Sequence, residues 1–388
     1  MAQNEKSRDS MTGNLLNTYF DNAATTWPKP PQVVEYMNRY LTDIGGTYGR
    51  SAYMRVVEAS RGVESARDLL AQKFGTSFSD HIFFTNNATH GINIILQGLS
   101  IDSGTVMVSP LEHNATMRPL HFLAKKGAIT IRTLPHFTDG STDPDRIHGS
   151  LPSDTKLVIL NHQSNVNGVI QPVKQIKECI GEIPLLLDTA QSLGYVLCHI
   201  DQWKIDMAVC TGHKGLFGPT GTGAVFIRNP ESVAPFMYGG TGSNSESLEM
   251  PEFAPDRFEA GTPNVCGIFG LLGALEHPPL PRHNHNDLLS LINSIKKISG
   301  IHVFCAKQES LQGELFSISH ATIACSEISS LLYQKHRIET RSGLHCAPFA
   351  HQHLGTFPQG TTRIAPSPFH TTADFEYLIE SIQDVVKK

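Results

Sequence analysis

Three residues of this chain have types and surroundings suited to chemistry: a lysine in a glycine-rich loop, an aspartate closing an apolar run, and a cysteine in a polar loop. The lysine is Lys214, in Thr211-Gly212-His213-Lys214-Gly215, a loop that runs on to Gly223 and holds five glycines. Glycine lets backbone approach a ligand closely and adopt positive φ. A lysine in such a loop either binds a phosphate or acts as a Schiff-base nucleophile. The phosphate-loop spacing fails, because Gly215 follows Lys214 where Ser or Thr would be needed. The aspartate is Asp188, at the end of Leu185-Leu186-Leu187-Asp188. Three leucines and a carboxylate read as a buried parallel strand whose carboxyl end faces a ligand, although a helix N-cap would satisfy the same residue.

Taken together, Asp188 and Lys214 meet the two demands of pyridoxal phosphate. That cofactor needs an amine for its Schiff base and a carboxylate against the pyridinium nitrogen. The cysteine is Cys346, in Glu339-Thr340-Arg341-Ser342-Gly343-Leu344-His345-Cys346-Ala347-Pro348. A reactive thiol needs access and nearby positive charge, and Arg341, His345 and His351 could supply the charge. The other six cysteines lie in apolar or strand-like contexts or, for Cys266, at the start of an expected helix.

Asp188-x-x-Gln191 followed by Thr211-Gly212-His213-Lys214-Gly215 resembles the class V aminotransferases, in particular the cysteine desulfurases. Asp21-Asn22-Ala23-Ala24-Thr25-Thr26, Arg257 to Asn264 and the Arg341 to Cys346 loop are similar to motifs of the same family. The resemblance implies an α/β fold, type I of the pyridoxal-phosphate enzymes, with a mostly parallel seven-stranded sheet and a smaller α/β domain. It implies that Lys214 holds the cofactor and moves protons, that Asp188 stabilises the carbanion, and that His113 stacks on the ring and handles protons. Asn165 would bond the cofactor's 3′-oxygen and Thr89 its phosphate, with Gln191, Thr211 and His213 also at the cofactor. Thr89 reads as a helix N-terminal anion ligand or, on its segment alone, as part of a simple cap. Thr262 would reach the phosphate of a neighbouring subunit, which implies a homodimer.

For the substrate, the resemblance implies that Arg363 binds the carboxylate, with Arg341 and Asn22 nearby, and that Cys346 attacks the sulfur. L-Cysteine would become L-alanine, leaving a persulfide for an acceptor protein or small thiol, as in sulfur mobilisation for iron–sulfur cluster assembly. Cys346 and Arg363 are 17 positions apart, which resembles the group II desulfurases with short, ordered cysteine loops. Alternatives are a lyase acting on L-selenocysteine, a thiol-independent aminotransferase or epimerase, and a sulfur-carrier protein without turnover. Relatives often carry Gly-Arg-Ser-Gly-His where this chain has Gly49-Arg50-Ser51-Ala52-Tyr53, so no role passes to a histidine there.

The elements that must position these residues follow from length and periodicity. The chain has 388 residues, enough for two domains. Residues 19–264 are expected to form the large cofactor domain and 265–388 a small domain carrying the cysteine loop, after a flexible extension over 1–18. Apolar runs predict strands at Ile82–Phe84, Thr105–Val108, Ile129–Ile131, Leu157–Leu160, Leu185–Asp188, Met207–Cys210 and Ala224–Ile227, alternating with helical segments. Helices are expected near 32–42, 55–73 and 373–386. His277-Pro278-Pro279-Leu280-Pro281 cannot be helix interior. The net charge of −5, with no basic block, argues against nucleic acid as the main partner. No apolar run reaches membrane-span length, and the first 17 residues lack the apolar core of a secretory signal. Seven cysteines without a C-x-x-C fit free thiols in the cytoplasm. Nineteen histidines lack the fixed ligand spacing of a metal site, so no metal is expected.

Overall fold

A computed structural model describes residues 16–49 and 51–387. Most of the expected N-terminal extension, and Arg50 in the Gly45–Tyr53 loop, therefore lie outside the described residues. Seven strands form the first sheet: β1 Ile82–Thr85, β2 Thr105–Val108, β3 Thr130–Thr133, β4 Thr155–Asn161, β5 Leu185–Asp188, β6 Met207–Thr211 and β7 Gly223–Ile227. Their spatial order is β1-β7-β6-β5-β4-β2-β3. Strands β2 to β6 pair in parallel, whereas β7 runs antiparallel to both β1 and β6. The Lys214 loop is the return that produces this reversal.

Side-chain alternation builds a core on each face of the sheet. Leu185, Leu187, Ala208, Cys210 and Phe226 pack with helices Met54–Phe74, Val173–Ile180 and Val265–Glu276. Leu186, Met207, Val209 and Val225 pack on the opposite face with helices Ala88–Gly98 and Asn114–Lys125. Successive strand residues point to opposite faces, so strands apolar at every position serve both cores. This is why the central strands read as continuous apolar runs.

A second sheet contains β8 Ile301–Phe304, β9 Phe316–His320, β10 Arg341–Gly343 and β11 Thr361–Ile364, in the order β10-β11-β9-β8 and antiparallel throughout. Helices His285–Ile295, Cys325–His336 and Thr372–Val386 cover it. Residues 19–21 stay out of the large sheet. Tyr19 bridges Glu339 and Asp21 bridges Ala365, while Phe20 enters the core of the second sheet. Helix Val265–Glu276, which sequence reading puts at the start of the small domain, packs instead on the large-sheet side. Its Ile268, Phe269 and Leu272 meet Ala59, Val63 and Ala66. It is apolar on nearly every face, so it needs cover all round. The proline segment 278–281 follows it and ends helical hydrogen bonding.

One buried ion pair ties this layer together. Arg67, 2 % exposed, donates to Glu259 from Nη1 at 2.8 Å and Nη2 at 3.2 Å, and Glu259 is itself 8 % exposed. Arg67 also donates to the Ile82 carbonyl, and Glu259 accepts from the Phe84 N–H at 2.7 Å. Removing one partner strands the other charge in the interior. Arg67→Ala should therefore cost about 3–5 kcal/mol, read as a lower denaturant midpoint. An unchanged midpoint would show that the pair is not coupled to folding.

Candidate active site

Thr89, His113, Asn165, Asp188 and Lys214 lie at or beyond the carboxyl ends of β1, β2, β4, β5 and β6, which all run in one direction across the sheet. Asn161 at the end of β4 stands beside Asp188 at the end of β5, and Asp188 stands beside Val209 of β6. The loops beyond these ends converge on one cavity. It is lined by Thr89, His113, Asn165, Asp188, Gln191, Thr211, His213 and Lys214, together with Asn161 and Gln163.

Asp188 is buried, and its Oδ1 accepts the Ala190 N–H at 2.9 Å. Burial raises its pKa, while the Ala190 N–H and the Lys214 charge pull it back. Lys214 follows β6 on a backbone whose close packing excludes side chains. A Cβ at Gly212 would run into Thr222, and one at Gly215 into the Leu193 carbonyl. Burial lowers the Lys214 amine to about 8, opposed by Asp188 and reinforced by Arg363 and Arg341. The amine can thus be neutral or charged close to neutral pH, as a proton-transfer group requires.

His113 caps helix Asn114–Lys125, its Nδ1 accepting the Ala115 N–H at 3.0 Å. Nε2 therefore carries the hydrogen. Burial, then Lys214, Arg341 and Arg363, pushes this imidazole down to about 3, so it is neutral across the physiological range. Behind it lies Glu112, fully buried, whose Oε1 accepts from Ser109 Oγ at 2.6 Å and the Asn161 N–H at 2.7 Å. Burial pushes its carboxyl up to about 8.

Thr89 is the second residue of helix Ala88–Gly98 and is exposed. The Asn87 side chain caps this helix at the His90 N–H, 2.9 Å away, and the first-turn N–H groups leave an anion-binding end. Gln191 donates from Nε2 to the Ala23 carbonyl at 2.9 Å, and Thr211 Oγ1 lies 3.5 Å from the Thr222 carbonyl. Asn165 donates to the His345 carbonyl at 2.7 Å. Several polar atoms of this cavity are buried with no partner in the protein: Asn165 Oδ1, Asn161 Oδ1, Gln163 Oε1 and His213 Nδ1. Buried polar atoms are almost always hydrogen-bonded, so orphans lining one cavity mark a polar ligand. Together with a carboxylate, an amine, an imidazole and a helix N-terminus, they fit the donor and acceptor set of pyridoxal phosphate.

The thiol stands at the rim. Cys346 is the cysteine that is exposed among the described residues, and the cysteines are all free. His345 and Cys346 have φ of +48° and +58°, a left-handed conformation that ordinary residues seldom adopt, let alone in succession. The loop is held by long-range bonds. The Cys346 carbonyl accepts the Asn114 N–H at 2.9 Å, and His345 Nε2 sits 3.0 Å from the Thr361 carbonyl. Arg341 Nη2 lies 3.5 Å from Cys346 Sγ. The sulfur and His113 line a common groove with Arg118, so the thiol and the cofactor cavity share a wall.

Arg363, on β11, is 1 % exposed. It donates from Nη1 to the Asn165 carbonyl at 3.1 Å and pairs with Asp21 at 2.7 Å. Two expected residues stand apart from this cluster. The Asn22 amide is used on backbone, donating to the Tyr19 and Ala365 carbonyls at 3.0 and 2.9 Å and accepting from the Trp27 N–H. Thr262 is exposed and lines a separate pocket beside Phe84, His90 and Gly221. Sequence reading assigned no role to Asp21, Glu112, Asn161 or Gln163. Asp21 lies inside a quoted motif, but its partner is 342 positions away.

The model of the family described as Aminotransferase class-V matches residues 18–378. A Methanothermobacter thermautotrophicus protein named "Probable cysteine desulfurase" is 30 % identical over 383 residues, covering 95 % of this chain and 94 % of its own. The apo structure of a cysteine desulfurase from Thermococcus onnurineus NA1 superposes with a TM-score of 0.86 at 25 % identity, over 95 % of this chain and 94 % of the other. The Escherichia coli cysteine desulfurase CsdA gives 0.83 at 25 % identity with the same coverage. The chain belongs to the aminotransferase class-V family.

Proposed function

We propose that the protein is a pyridoxal-phosphate-dependent cysteine desulfurase that converts L-cysteine to L-alanine and retains the sulfur as a persulfide on Cys346. The observation that carries this is the exposed Cys346 thiol, held by an ordered loop on the wall it shares with the cofactor cavity. A thiol-independent transaminase has no use for that placement. When bound, pyridoxal phosphate supplies an electron sink for bonds at the substrate Cα and Cβ.

The chain's own residues supply the rest. Asp188 would hold the pyridine nitrogen of the cofactor with its carboxylate. Neutral His113 would stand against the ring, with its Nε2–H free to donate. Lys214 Nζ, poised near neutral pH, takes the proton from Cα and returns one to the product. Arg363 anchors the substrate carboxylate. Cys346 Sγ, beside the Arg341 guanidinium, attacks the substrate sulfur as the thiolate. An S–S bond forms, the C–S bond breaks, and its electron pair moves back toward the substrate carbon. The direct test is to give the purified protein L-cysteine and measure alanine and sulfide. No alanine above the protein-free background would sink the reading.

Arg363 provides a quantitative check. Its fork geometry suits a carboxylate, and its burial removes competing water. Arg363→Ala should weaken L-cysteine binding by roughly 2–4 kcal/mol, on the order of 30- to 1,000-fold, read by titration of binding. An affinity within the error of wild type would move the carboxylate anchor elsewhere.

We also read the protein as a homodimer, in which Thr262, outside its own chain's cofactor cavity, reaches the neighbour's phosphate. Sedimentation should show a dimer, and a fully active monomer would contradict it. The two sheets suggest two domains, the second carrying Arg341, Cys346 and Arg363. Free thiols fit a reducing cytoplasm, where a protein or small thiol would take the sulfur, as for iron–sulfur cluster assembly.

A further inference from the structure

Arg363 already has an anionic partner. Its Nη2 lies 2.7 Å from Asp21 Oδ1, its Nη1 donates to the Asn165 carbonyl, and its Nε is buried with no partner. We propose that Asp21 is the resident counter-ion of Arg363 and a specificity-determining residue, which the substrate carboxylate displaces on binding. This rests on the reading of Arg363 as the carboxylate anchor.

The two partners differ in their freedom to move. Arg363 is 1 % exposed, whereas the Asp21 side chain is 22 % exposed. Asp21 can therefore rotate out and be hydrated, while the guanidinium cannot leave. Its backbone cannot follow. The Ala365 N–H donates to the Phe20 carbonyl at 2.8 Å, and the Asn22 N–H to the Ala365 carbonyl at 3.3 Å. The same segment is fastened farther along. The Ala23 carbonyl accepts from Gln191 at 2.9 Å, and the His213 carbonyl accepts from Lys29 Nζ at 2.8 Å and from the Thr26 N–H at 3.1 Å. Residues 21–29 thus strap the Arg363 side of the site to the Lys214 loop and return Asp21 to its place when the site empties.

Two carboxylates beside one buried guanidinium repel each other. A ligand carboxylate gains the Arg363 charge only by replacing Asp21, and a ligand without a carboxylate leaves the pair closed. Asp21 then lowers affinity for the correct ligand, which eases release of a product that keeps the carboxylate. It also keeps the anchor neutral toward other amines and thiols.

Calorimetric titration of the holoenzyme with L-alanine and with cysteamine tests this. L-Alanine has the carboxylate and no sulfur, and cysteamine has the thiol and amine without the carboxylate. Asp21→Asn should bind L-alanine on the order of tenfold more tightly with cysteamine unchanged. Asp21→Ala should do the same, so a folding failure of one variant leaves the other to decide. L-Alanine affinity that is unchanged or lower in a folded variant, or cysteamine tightened by the same factor, would overturn the proposal. Arg363→Ala separates the two readings. If it weakens L-alanine while both Asp21 variants match wild type, the counter-ion role alone falls. If it leaves L-alanine affinity intact, the anchor assignment falls and takes this inference with it.

Discussion

Lys214→Ala should abolish turnover, with a loss of roughly 10²–10⁴-fold expected from the missing proton transfer alone. The amine is asked to do two things, to hold the cofactor covalently and to move a proton at the substrate Cα. Alanine can do neither. The orphaned polar atoms of Asn161, Gln163 and Asn165 remain in the cavity, so the variant should still bind pyridoxal phosphate, but reversibly. Borohydride treatment of wild type followed by peptide mapping should place the cofactor on Lys214. A label on another lysine, such as Lys29 with its amine lowered to about 8 by burial, would break the assignment. The pH dependence has a definite sign. Because burial lowers Lys214 to about 8, capture of cofactor by apoprotein should speed up as pH rises toward 8 and level off above it. Capture that is flat from pH 6 to about 9 would show that the titrating amine is a different one.

Cys346→Ser should separate binding from sulfur transfer. Asp188, Lys214 and Arg363 are untouched, so the variant should bind cofactor and L-cysteine as wild type does. It should release no alanine above background, since an alcohol is a poor nucleophile toward sulfur and a serine oxygen cannot store a persulfide. The loop itself should tolerate the change. It is held by the Cys346 carbonyl on the Asn114 N–H and by the His345 ring on Thr361, not by the sulfur. Substantial alanine from Cys346→Ser, measured with equal cofactor content, would point to chemistry that needs no thiol.

The large sheet was legible because its strands are buried on both faces. Leu185-Leu186-Leu187 and Met207-Ala208-Val209-Cys210 are apolar at every position, and each ends in a residue that chemistry needs. The second sheet carried no such signal. The β8 sequence Ile-His-Val-Phe is only partly buried, and β10 is three residues of Arg-Ser-Gly. Neither shows a period, and both are set by pairing with distant chain. The same limit applies to helix Val265–Glu276, which packs on the large-sheet side. This helix is apolar nearly all round, so its sequence cannot say which layer covers it. Within the site, Lys214 and Asp188 were legible from their loop and strand end, and Asn165 and His113 only through the family resemblance; all four line one cavity. Motif spacing could not show that Asn22 spends its amide on the Tyr19 and Ala365 carbonyls, nor that Asp21 closes on Arg363. Those contacts join the two ends of the chain.

The most direct test of the account is where the sulfur goes. Wild-type protein loaded with cofactor should be given L-cysteine in the absence of reductant or acceptor, digested, and its peptides weighed. One additional sulfur atom should appear on the peptide containing Cys346, in step with the first equivalent of alanine. The sulfur appearing only on another cysteine, such as Cys325 or Cys266, or alanine forming with no sulfur on any cysteine, would contradict the assignment of Cys346 as acceptor.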